Sequence, residues 1–168
     1  MRIREIEIRD NTRIKEIIQE SLESVGLNIE GTAYYDPHLG ELYHFYHRHP
    51  HSMYWVIVDK ENRVQGGVGI AEFNAAKRIC ELQKLYLSSE AQGKGYSRLL
   101  MDKALHFAEK HYDYCYLETR HELVAASALY VKYGFMLLTE PIEGSEHSAM
   151  DAWYLKKLKS HYQNKLTR

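Results

Sequence analysis

Hydrophobic and polar positions along this chain recur in two periods, and the switches between them mark its elements. Ile6 and Ile8 alternate with charged neighbours and read as a strand. Ile14, Ile17, Ile18, Leu22 and Val25 then recur at helical spacing behind the candidate caps Asp10 and Asn11. Leu39, Leu42, Tyr43 and Tyr46 predict a second, shorter helix. Met53 to Val58 is an unbroken apolar run, and Val64 to Phe73 follows across the polar turn Asp59 to Asn62, so the two predict a hairpin. Ile79 to Leu87 is the next strand, reached through Asn74 to Lys77. Leu100, Ala104, Phe107 and Ala108 give the helix starting near Tyr96 one apolar face. It returns the chain to a parallel strand at Tyr114 to Thr119, a βαβ crossover. A helix from about Leu123 to Tyr133, a strand at Phe135 to Leu138 and a last strand at Met150 to Leu155 complete the pattern. The expected fold class is α/β, a mixed sheet with helices on its faces.

Composition narrows the function classes. At 168 residues, with no Pro/Ser-rich linker, repeat or low-complexity tract, the chain is expected to form a single domain over 1–168, ending in a basic, polar tail from about Lys156. A formal charge of −1 argues against a nucleic-acid partner. No apolar stretch approaches the roughly 20 residues of a membrane span, and no basic start leads into an apolar leader, so no membrane partner and a cytoplasmic location are expected. Cys80 and Cys115 lie within apolar strand patterns, without C-x-x-C or Cys/His ligand spacing, and read as buried reduced thiols.

The most informative stretch is Leu82 to Leu100, which joins a strand, a glycine-bearing loop and a helix. The loop Gln92-Gly93-Lys94-Gly95-Tyr96-Ser97 has glycines where the backbone turns tightly or approaches a ligand closely. Amide N–H groups at the start of a helix, together with its dipole, form an anion site, which points to a phosphorylated ligand. Gly66, Gly67 and Gly69 mimic a dinucleotide fingerprint, but they sit inside a strand pattern and open no helix; sheet geometry explains them better. The loop at Gln92 also lacks the Gly-Lys-Ser/Thr ending of a nucleoside-triphosphate loop, which disfavours an NTPase.

The loop's Gln-x-x-Gly-x-Ser spacing, five residues after the strand end Leu85-Tyr86-Leu87, resembles the acetyl-CoA-binding motif of the GNAT superfamily of acyl-CoA N-acyltransferases, Gln/Arg-x-x-Gly-x-Gly/Ala. A second segment, AASALYVKYGF from Ala125, resembles that family's later helix and its lead into the next strand. The resemblance extends over roughly Arg2 to Leu155. It departs from the family at Ser97, a small residue whose hydroxyl can donate to phosphate, and at Leu123, where the family's helix often begins with a hydrogen-bonding Asn.

The resemblance implies a mostly antiparallel central sheet, acetyl-CoA as cosubstrate, no metal, and transfer of an acetyl group to a primary amine by direct attack in a ternary complex. A non-catalytic acyl-CoA-binding or regulatory module is the alternative. It implies cofactor contacts from Leu85, Tyr86 and Leu87, from Gln92, Gly93, Lys94, Gly95, Tyr96, Ser97 and Arg98, and from Ala126. Tyr130, which shares a helical face with Leu123 and Ala126, matches the family tyrosine that protonates the departing thiolate. Strand alternation puts Glu81 and Gln83 on one face, at positions that border the reacting amine in the family. A glutamate there can accept a proton, directly or through water, whereas a glutamine can only orient. The competing reading of Glu81 is an exposed carboxylate paired with Lys84 or Lys77.

The acceptor implied is a small-molecule or peptide amine, and a homodimer is a possible assembly. Family members often build the acceptor side from the segments that correspond here to Asn28–His38 and Thr139–Ala149. Both are acidic, through Glu30 and Asp36 and through Glu140, Glu143 and Glu146, which suits a cationic amine. His44, His47, His49 and His51 cluster without acidic or cysteine ligands among them and read as surface residues rather than a metal site.

Overall fold

A computed structural model describes residues 1–159. Its sheet has seven strands in the order β1-β2-β3-β4-β5-β7-β6. They are β1 (Arg2–Glu5), β2 (Met53–Val58), β3 (Val64–Asn74), β4 (Ile79–Leu87), β5 (Tyr114–Thr119), β6 (Met136–Leu137) and β7 (Ala152–Lys157). Only β4 and β5 are parallel; every other pair is antiparallel. The mixed, mostly antiparallel sheet with one crossover expected from the sequence is therefore present.

β2 is apolar throughout because both faces of the sheet are covered. Tyr54, Val56 and Val58 point into a core shared with α1 (Asn11–Ser24) and α2 (Leu42–His47), where Ile14, Ile17, Ile18 and Leu22 are buried. Trp55 and Ile57 point the other way, into a core with α3 (Tyr96–His111), whose Leu100, Met101, Ala104, Leu105 and Ala108 are buried. α4 (Val124–Lys132) joins this second layer through Tyr130, beside Phe135. No helix among the described residues is long and apolar enough to cross a membrane.

The termini and caps depart from the sequence pattern. The first strand ends at Glu5, Ile6 is buried just beyond it, and Ile8 lies 58% exposed in a 3-10 turn. Asp10 does not cap α1. It accepts two hydrogen bonds from the Arg4 guanidinium, at 2.6 and 3.0 Å, and one from the Glu7 N–H, and a bidentate charge-assisted pair outcompetes a single cap bond. Asn11 accepts the N–H of Tyr43 at 2.9 Å and so ties the start of α2 to α1. α2 begins at Leu42 rather than Leu39, since Leu39 closes a turn onto the Asp36 carbonyl.

The strand expected over 135–138 is only Met136–Leu137. β7 runs two residues later than its apolar pattern, because the Asp151 carboxylate accepts from the His121 N–H ahead of the strand while Lys156 and Lys157 pair with Cys115 and Tyr114. The start of the expected polar tail thus belongs to the sheet, and Leu158 is buried; the remainder, 160–168, lies outside the described residues.

Candidate active site

β4 carries the site because its two edges are treated differently. On one side it is paired with β3 as far as Leu87, opposite Gly66. On the other it is paired with β5 only at Ile79, Cys80 and Glu81. An extra residue in β4 between Gln83 and Tyr86, which face Gly69 and Gly67, makes a bulge. Lys84 takes the left-handed backbone there, with φ 51°. The bulge turns Gln83 and Lys84, adjacent in sequence, into one hollow. Beyond it, Leu85 to Leu87 keep a β5-facing edge with no strand partner among the described residues.

That edge opens into a cleft of about 1050 Å³. Its lining includes Leu85, Tyr86, Leu87, Gln92, Gly93, Lys94, Gly95, Ser97 and Arg98, with Ala126, Leu129 and Tyr130 of α4 opposite. Gly93 and Gly95 take φ values of 72° and 80°, a conformation that side chains disfavour. A Cβ at either would meet no protein atom within 4 Å, so the loop is open above its backbone. Gly95 precedes α3 and supplies no side-chain cap, which leaves first-turn N–H groups of that helix to an external acceptor. Lys94 and Arg98 add positive charge. Donors, helix dipole and cations together fit a pyrophosphate.

Two of the residues expected to contact the cofactor also make contacts within the protein. Tyr96 does not line the cleft; it is partly buried against the α3-side core. The Gln92 side chain donates to the Leu87 carbonyl at 3.1 Å, where the Ser21 hydroxyl also donates at 3.3 Å, and so fastens the loop to the end of β4. Leu123 gives α4 no side-chain cap, and it lines the cleft as an apolar surface. Tyr130 packs near Phe135 and Tyr154, and burial, with Tyr154 nearby, pushes its phenol up to about 12. It is protonated at neutral pH.

Further back along β4 lies a second hollow, of about 440 Å³. Glu81, Gln83 and Lys84 form its floor, and its walls come from Asp36 to His38, Leu42 and Phe45 of α2, Glu72 and Phe73 of β3, and Gly144, Glu146 and His147. The two segments expected on the acceptor side both reach it. Asp36 ties them together, accepting from Lys84 Nζ at 2.6 Å and lying 2.9 Å from His147 Nε2. Burial opposes ionisation of Asp36, but the His147 hydrogen bond and the Lys84 charge outweigh it and hold the carboxyl at about 2. The same hydrogen bond raises His147 above its ordinary range. Of the loop carboxylates named from the sequence, Asp36 and Glu146 line the hollow; Glu30, Glu140 and Glu143 do not.

Glu81 is 9% exposed, not a surface strand residue. Lys84 is committed to Asp36 and Lys77 is exposed, so neither alternative pairing of Glu81 forms. Its carboxylate accepts instead from Gln83 Nε2 at 2.7 Å. Burial pushes Glu81 up to about 7; Glu118 adds to this, and Gln83, His147 and Lys84 pull against it. Tyr86, whose phenol is raised by burial with Tyr130 and Asp36 nearby, lines the first cleft. Among the described residues no group of three or more His, Cys, Asp and Glu is placed to hold a metal ion, and His47 Nδ1 is engaged by the Tyr43 carbonyl at 2.7 Å.

The family model described as Acetyltransferase (GNAT) family matches residues 12–135. This chain belongs to that family. The GNAT chain is 35% identical over 159 residues to YjgM of Escherichia coli K12, named an uncharacterized N-acetyltransferase, a match covering 93% of this chain and 94% of YjgM. A phosphinothricin acetyltransferase from Sinorhizobium meliloti, solved in complex with AcCoA, superposes with a TM-score of 0.72 at 22% identity, covering 94% of this chain and 88% of that one. A chimera of the spermidine N-acetyltransferase SpeG from Vibrio cholerae and hSSAT superposes at 0.67 with 26% identity, covering 98% of each chain.

Lys84, His147, Phe45 and Phe73 line the second hollow and Tyr46 donates to its Gln83, and none of the five carries a local signal of this in the sequence. One signal was indirect. Gly67 and Gly69 lie under tyrosine rings: a Cβ at Gly67 would overlap Tyr54, and one at Gly69 would overlap the Tyr46 phenol. The β3 glycines are sheet geometry, as expected, and they mark where two buried aromatics cross the strand.

Proposed function

We propose that this protein is an acetyl-CoA-dependent N-acetyltransferase that moves the acetyl group to the primary amine of a small-molecule or peptide acceptor by direct attack in a ternary complex. The observation that carries this reading is the succession along β4 of a buried, basic-enough carboxylate, Glu81, and an open cleft with an anion-binding loop. A thioester needs a neutral amine to attack it, and a carboxylate near pKa 7 takes a proton from that amine close to neutral pH. Gly93, Gly95 and Ser97, with Lys94 and Arg98, hold the pyrophosphate. Amides on the free edge of Leu85 to Leu87 orient the thioester and stabilise the oxyanion. Tyr130, protonated and facing the cleft, donates to the leaving sulfur. Cys80 and Cys115 are both buried, and burial raises the Cys80 thiol well above its ordinary value, so neither suits an acyl-enzyme route.

The acceptor is cationic. Glu72 and Glu146 line the second hollow with charge left over, while Asp36 is neutralised by Lys84. Phe45, Phe73 and His38 supply flat faces for an alkyl or ammonium chain. A panel of amines incubated with acetyl-CoA, read as free CoA at low and high ionic strength, tests the function and the acceptor together. Release with several amines is expected, fastest for those bearing a second positive charge, with an advantage of a few fold that shrinks as salt rises. Binding of acetyl-CoA without release on any amine would instead leave a binding module.

A further inference from the structure

We propose that Tyr46 is a positioning residue for the reaction: through Gln83 it fixes Glu81 in the orientation and charge state that take the amine's proton. The inference rests on the reading of Glu81 as that proton acceptor. Tyr46 is on α2, fully buried, and its hydroxyl donates to Gln83 Oε1 at 2.8 Å. Gln83 Nε2 donates in turn to Glu81 Oε2 at 2.7 Å.

The direction of this chain is chemically determined. An ionised carboxylate only accepts, so Gln83 must present its NH₂ to Glu81 and its carbonyl to Tyr46. Burial keeps the Tyr46 phenol protonated, so its O–H remains available to that carbonyl. A protonated Glu81 would favour the opposite arrangement, with its O–H donating to a flipped Gln83 carbonyl. That flip would take away the acceptor of the buried Tyr46 O–H, so Tyr46 opposes it and favours the ionised carboxylate.

The fold reserves room for this contact. Gly69 is the register partner of Gln83 on β3, and a Cβ there would overlap the Tyr46 phenol. Tyr54, whose ring centroid is 5.2 Å from that of Tyr46, donates to the Lys84 carbonyl at 2.9 Å and holds the bulge next to Gln83. The other groups facing Glu81 come from several elements. They are Lys84 on β4, Glu72 on β3, Tyr116 and Glu118 on β5, Asp36 ahead of α2, and Glu146 and His147 ahead of β7. Lys84 and His147 also favour the ionised form, but both are hydrogen-bonded to Asp36, which leaves Gln83 as the group bonded directly to Glu81.

Tyr46→Phe keeps the ring and removes the donor. The titration of the Glu81 carboxyl, followed by its carbon chemical shift in the free enzyme, is expected to move upward by about half to one pH unit. The acid limb of kcat/KM should move with it, and the rate should return toward wild type at high pH. Gln83→Met, which removes both contacts, should move the titration further in the same direction, and it serves if the Phe variant folds poorly. An unmoved Glu81 titration in folded variants, or a rate lowered equally at every pH, overturns the role of Tyr46. A moved titration with an unmoved acid limb would instead remove Glu81 as the proton acceptor.

Discussion

The cleft beside Gly93 to Ser97 and the hollow around Glu81 follow one another along β4, yet they are built in opposite ways. The cleft is assembled mainly from consecutive residues: the end of β4, one loop and the first turn of α3, with α4 laid across. Its chemistry is largely backbone chemistry, amides at a helix start and on a free strand edge, which many side chains permit. The hollow draws single side chains from β3, β4, α2 and two long connections, and three of its charged groups, Asp36, Lys84 and His147, partner one another. A ligand held by backbone leaves a contiguous trace in a sequence, whereas one held by dispersed side chains leaves almost none.

This division of labour separates the effects of substitutions. The largest is expected for Glu81→Gln, which keeps the shape and the Gln83 contact region but cannot accept a proton. The ratio kcat/KM should fall by about 10²- to 10⁴-fold. In the wild type kcat/KM should decline as pH falls below about 7, because the raised carboxyl becomes protonated there, and that limb should disappear in the variant. Affinity for acetyl-CoA, measured by calorimetry, should be unchanged. A loss of cofactor affinity in this variant would break the separation of the two regions.

Gly95→Glu is the mirror experiment. It places a side chain on a left-handed backbone position at φ 80° and a negative charge at the phosphate site. Acetyl-CoA at about 100 times its Kd should stabilise the wild type by roughly 2.7 kcal/mol, seen as a rise in Tm, and the variant should show no such rise. An equal rise would remove the pyrophosphate from this loop. The smallest effect is expected for Tyr130→Phe, because a thiolate leaves readily without full protonation. Turnover should drop by about 10- to 100-fold, at the low end of general acid catalysis, with acetyl-CoA binding retained. Unchanged turnover would make the residue a packing group between α4, Phe135 and Tyr154.

What was legible in the sequence follows the same line. The strand, loop and helix from Leu82 to Leu100 could be read outright, because the glycine spacing and the apolar face of α3 are local. Glu81 and Gln83 could be placed on one face from strand alternation alone, and their 2.7 Å hydrogen bond agrees with that placement. The bulge at Lys84 could not be read, since an extra residue in a strand changes which face a side chain takes without changing composition. Asp36 was named as one of several acidic loop residues, but its neutralisation depends on Lys84 and His147, distant in sequence. The ends of β1 and β7 slipped because Arg4 to Asp10 and His121 to Asp151 are tertiary contacts, which override the periodicity on which strand limits were drawn.

In the proposed reading the two adjoining hollows take one substrate each, so that both are bound before chemistry begins. Initial rates measured over a grid of acetyl-CoA and amine concentrations, with the best amine from the panel, test this most directly. Double-reciprocal lines should intersect, and enzyme incubated with acetyl-CoA alone should stay unacetylated. Parallel lines with an acetylated enzyme would contradict direct transfer between the cleft and the Glu81 hollow.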